Sequence, residues 1–93
     1  MENLTINLID GEFDSQETRE LLIDLINKKI QYHSLKNHQQ WERNGVEDLF
    51  SSMRIKELQN AREKIKELTS TEFPEDFKLK INAYIKIGGF DEF

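Results

Sequence analysis

The alternation of apolar and polar residues changes its period along this chain, and each change marks an element. In "NLTINLIDGEF" Leu4, Ile6 and Leu8 occupy alternate positions with Thr5 and Asn7 between them. That period of two predicts a strand over about 3–9. Asp10-Gly11 then reads as the turn that ends it. Asp14 follows as a helix cap, and Glu17 three residues later completes a capping box. From there no Pro or Gly occurs until Gly45, so a helix over about 15–43 is predicted, roughly 42 Å long at 1.5 Å per residue.

The apolar residues of this helix fall into two stripes. Leu21, Leu25, Tyr32 and Leu35 form one; Leu22, Ile26, Ile30 and His33 form the other, with Ile23 and Trp41 at its margin. One stripe suffices to pack on one partner, so two stripes imply two partners. "RNGVED" is a turn, with Gly45 as the C-terminal cap and Asp48 or Ser51 as the next N-terminal one. Ile55, Leu58, Ala61, Ile65 and Leu68 then mark a second helix, over about 48–69. "TSTEFPED" stops it, because Pro74 disfavours helix at Phe73. "FKLKINAYIKI", 77–87, alternates strictly and predicts a strand with one buried and one wet face.

The expected fold is therefore α+β, in the order β-α-α-β, as a single domain over 1–87. A long antiparallel helical hairpin carries a two-stranded antiparallel ribbon, and "GGFDEF", 88–93, is read as a flexible tail. An isolated ribbon is marginal in water, and a 42 Å helix overhangs the roughly 32 Å globule expected at this length. Both difficulties disappear if two hairpins join as a four-helix bundle in a homodimer. Leu21, Leu25, Tyr32 and Leu35 are then the self-association interface.

Composition narrows function mainly by exclusion. The 93 residues include no cysteine, which removes disulfides, thiolate nucleophiles and zinc knuckles. No signal peptide and no membrane-length apolar run is visible, so a cytoplasmic protein without a membrane is expected. The net charge of −5 is uneven: residues 1–27 hold seven acids and one base, whereas 28–43 hold four bases and one acid. Internal or subunit complementarity fits that distribution better than nucleic acid, which calls for a net basic face.

"YHSLKNHQQWERNG", 32–45, holds both histidines and the only tryptophan. Metal ligands on a helix must be three or four residues apart to share a face. His33 and His38 are five apart and diverge by about 140°; at i+4 His33 meets Asn37 and His38 meets Glu42, half a site at best, which only a symmetric dimer could complete. No metal and no other cofactor is expected. Ser and Thr at 69–71 are turn residues beside a helix end, and Gly88-Gly89 has no helix after it, so no nucleophile or phosphate loop is apparent and no enzyme is expected. Lys78, Lys80, Tyr84 and Lys86 share the wet face of the last strand and form an alternative RNA-binding surface, although alternating lysines also protect strands against aggregation. The favoured expectation is a non-catalytic protein–protein interaction or regulatory protein that self-associates through its hairpin.

"INLIDGEF" followed by "ETRELLIDLINKKIQYHSLKN" and "RIKELQNAREKIKEL" resembles small uncharacterised bacterial proteins of the same length and layout. The resemblance covers about 85 residues, all but the tail. It implies a bacterial, single-domain protein and carries no activity, cofactor or site residue with it.

Overall fold

A computed structural model describes residues 3–89. The order is β1 (Leu4–Phe13), α1 (Ser15–Asn44), α2 (Leu49–Thr69) and β2 (Leu79–Ile87), an α+β layout with a two-stranded antiparallel sheet. The chain folds back once, at Gly45, so that helix pairs with helix and strand with strand. Of the expected tail, residues 90–93 lie outside the described residues.

α1 starts where the capping box places it. Asp14 accepts from the Glu17 backbone N–H at 2.7 Å, and the Glu17 side chain accepts from the Asp14 N–H at 3.2 Å. Two of the free donors at the helix start are thereby satisfied. The helix runs unbroken for 30 residues, about 45 Å. It ends on Gly45, whose φ of 66° lies in the left-handed region that costs glycine least. α2 is capped by Asp48, which accepts from the Ser51 N–H at 3.2 Å.

Two boundaries differ from expectation, each for a local reason. β1 does not stop at Asp10-Gly11 but continues to Phe13. The apolar residues shift from even positions (Leu4, Ile6) to odd ones (Ile9, Phe13). A β-bulge at Leu8 absorbs the shift: Asn7 pairs with Tyr84 and Ile9 with the very next residue, Ala83. The extra residue keeps Leu4, Ile6, Ile9, Gly11 and Phe13 on one face, where regular pairing would turn Asp10 and Glu12 onto it. Gly11 sits in this face with the Phe13 ring alongside, 3.4 Å from where a β-carbon would be. At the other end β2 begins at Leu79, not Phe77. The Phe77 N–H is used in a turn, donating to the Pro74 carbonyl at 2.9 Å, and its ring stacks on Phe73 at 4.7 Å.

The two halves scarcely pack on each other. The ribbon approaches α1 sparingly, and its backbone does not come close to α2. The Cα extents are 53 × 33 × 15 Å. A ribbon of about 30 Å continuing the line of a helix of about 45 Å would exceed the longest of these, so the ribbon is set across the hairpin. Among the described residues no hydrophobic side chain is buried; the buried ones are Thr18, His33 and Ser51. The expected burial of one β2 face is thus only partial. Leu79, Ile81 and Ala83 are half-buried, while Ile85 and Ile87 are exposed on the same face.

Candidate interaction surface

The hairpin seam is built from the stripe that includes Leu22, Ile26, Ile30 and His33, facing Ile55, Leu58, Arg62 and Ile65, all half-buried except the buried His33. Polar pairs recur along it. Arg62 donates from Nη1 to Asn27 Oδ1 at 2.6 Å. His33 Nδ1 lies 3.4 Å from Ser51 Oγ. Asn37 donates to Ser52 Oγ at 3.1 Å and accepts from the Asp48 backbone N–H at 2.7 Å. Directional bonds between two surfaces of similar apolar residues select one sliding register.

The other α1 stripe is mostly uncovered among the described residues. Leu25, Tyr32 and Leu35 are exposed and Leu21 is half-buried. α2 adds to the same side. Tyr32 directly precedes His33, and Phe50 directly precedes Ser51. Where two helices run antiparallel, the residues one step before the seam on each fall on one face. The rings agree, with Tyr32 5.3 Å and Phe50 6.2 Å from the His33 ring. Ala61 and Leu68 recur along α2 on the line of Phe50, and Met53 lies just beyond it. Leu68, Phe50 and Met53 are all exposed. The result is a side of the hairpin that carries apolar residues of both helices among charged ones such as Glu57 and Lys64, with Lys29 Nζ 4.6 Å above the Tyr32 ring.

The opposite side of the hairpin is more polar. Ser34, Asn37, His38, Trp41, Glu47 and Ile55 line an open depression there, about 420 Å³ in volume. Trp41, on the last turn of α1, is 60% exposed. His38 projects outward and pairs with Glu42 at 3.1 Å, whereas His33 faces α2. The two imidazoles therefore diverge as their spacing requires.

On the ribbon, Lys80 lies opposite Glu12, Asn82 opposite Asp10, Tyr84 opposite Asn7 and Lys86 opposite Thr5. Lys78 precedes the strand. The polar face thus interleaves acids with the lysines.

Ser51 was visible in the sequence only as a cap candidate; its meeting with His33 depends on the hairpin register. A Ser, a His and an Asp in reach of one another have the composition of a hydrolytic triad, but the bonds run otherwise. Ser51 Oγ donates to Asp48 Oδ2 at 3.0 Å, leaving its lone pair toward His33. A nucleophile needs the reverse, with the imidazole accepting the hydroxyl proton. Ser51 is also 0% exposed, so no substrate can reach its oxygen. The cluster locks the hairpin instead. Hydrogen bonds from the Ser51 backbone and then from its side chain hold the Asp48 carboxyl below its usual range, outweighing desolvation.

No helix among the described residues is long and apolar enough to cross a membrane, and no group of three or more metal-ligating side chains is found there. No protein-family model, curated protein or solved structure matches the chain.

Proposed function

We propose that this is a non-catalytic interaction protein that self-associates as a homodimer through the apolar side of its helical hairpin. The observation that carries the reading is that no hydrophobic side chain is buried among the described residues, while Leu21, Leu25, Tyr32 and Leu35 on α1 lie on one side of the hairpin with Phe50, Met53 and Leu68 on α2. The areas support it. The chain exposes 7439 Å², where a compact protein of 11.1 kDa exposes about 5,700 Å². The excess, about 1,700 Å² per chain, matches what obligate dimers cover on each subunit. The radius of gyration, 16.7 Å, likewise exceeds the roughly 12 Å of a compact chain of this length. Burying two such faces against each other makes a four-helix bundle with an apolar centre.

Light scattering across a dilution series tests this. A mass of two chains that persists on dilution is expected for the wild type. Leu25→Glu places a charge in the middle of the face and should give a folded chain of single mass. A Leu25→Glu protein that keeps the double mass would remove this face from the interface, and a wild type of single mass at every concentration would refute the self-association itself.

A further inference from the structure

Among the described residues His33 is the only titratable side chain that is buried, 3% exposed. Its surroundings determine which protons it can hold. Ser51 has one hydroxyl proton and donates it to Asp48, so toward His33 it can only accept. That assigns the imidazole proton to Nδ1 and leaves Nε2 without one. Nε2 is buried and has no hydrogen-bond partner. A second proton, on Nε2, would thus enter a site with no acceptor for it. The charges around the ring oppose it as well. Lys29 and Lys36 approach from α1 itself and Arg54 from α2; Asp48, at the start of α2, is the acid that opposes them, and Ser51 occupies both of its oxygens.

We propose that His33 is an acid-sensitive latch on the distal part of the hairpin, closed when the imidazole is neutral and opened when it is protonated. The charged ring can be satisfied only by reaching solvent, from which the closed seam shields it. Opening there separates Ser51 from His33 and Asn37 from Ser52, the bonds that pair the ends of α1 and α2 near the turn. The base of the hairpin, with Asn27 and Arg62, holds no histidine and stays closed. Burial first, and then Lys29, Arg54 and Lys36, hold the imidazole pKa below the ordinary 6.5. A base kept neutral by the fold binds its proton more readily when released. The latch is therefore fully closed above about 6.5 and weakens as pH falls below that value.

Hydrogen exchange of backbone amides in the full chain, at pH 7.5 and pH 5.0 and corrected for the intrinsic rates, reads this directly. Protection over residues 37–55 should fall about threefold or more on acidification relative to residues 18–30. His33→Gln should abolish that difference, and His38→Gln, which alters only the exposed imidazole, should keep it. Equal loss over both regions, or a His33→Gln chain that retains the wild-type pH dependence, would overturn the proposal. Should His33→Gln not fold, the NMR titration of the wild-type His33 ring decides alone: a midpoint below 6.5 supports the latch, and one at or above 6.5 refutes it.

Discussion

The helical hairpin and the ribbon solve the same problem, holding two antiparallel segments in one register, by opposite means. The hairpin uses polar side chains at a buried seam: Asn27 with Arg62, His33 with Ser51, Asn37 with Ser52. The ribbon uses its backbone ladder and one bulge, and leaves its apolar residues Leu4, Ile6, Ile85 and Ile87 in water. Helices satisfy their own backbone, so nothing but side chains can tell one helix how far to slide along another. Strands pair through the backbone, so register follows from alternation and needs no buried polar group. Polarity is inside where it must specify, and apolarity is outside where none of the described residues covers it.

Leu58→Asp attacks the hairpin half of this contrast and has the largest expected effect. It sets a charge in the seam with no partner, costing on the order of 3 kcal/mol, a large part of the stability of a small domain. Loss of the helical circular dichroism signal at room temperature checks it. Asp48→Ala comes next. It removes the α2 cap and the acceptor of Ser51, and the melting temperature should fall by several degrees. The same carboxyl, like Asp14, is held below the ordinary 3.8, in both cases chiefly by a backbone hydrogen bond. Its stabilisation is present above 3.8 and lost as pH falls through the lowered value. Melts between pH 5 and pH 2 should therefore be shallower in Asp48→Ala than in the wild type.

The ribbon half is tested by deletion. Removing Leu8 leaves Leu4, Ile6, Ile9, Gly11 and Phe13 in strict alternation and keeps every pairing of β1 with β2. It should change the melting temperature little. Removing Ala83 turns Leu79 and Ile81 to the polar face and should melt the ribbon while the helices persist. A chain that tolerates both deletions equally would show that the bulge does not govern the face. The smallest effect is expected for Lys80→Glu, which faces Glu12 with a like charge at a cost of about 0.5 kcal/mol, read as a small shift in the urea midpoint.

Much of this layout was legible in the residues. Both helices, the Asp14 cap, the Gly45 turn and the split of α1 into two stripes follow from periodicity and cap chemistry, which act within a few residues. What was not legible depends on residues far apart. Asp10-Gly11 has the composition of a turn, yet β2 lies beside it and draws it into the ladder, and the bulge is visible only once Asn7 and Ile9 are seen against Tyr84 and Ala83. Phe77 alternates with the rest of β2 but is claimed by Phe73 and Pro74.

The same division governs the candidate sites. The sequence by itself determined that α1 carries a second apolar stripe, since helical angle depends on spacing alone. Only the tertiary structure decided that Tyr32 shares a face with Phe50, that the ribbon leaves most of the hairpin uncovered, and that His33 meets a serine whose proton is already given to Asp48. Those facts depend on how far one helix slides past the other, a distance set by contacts across the turn that no local pattern encodes.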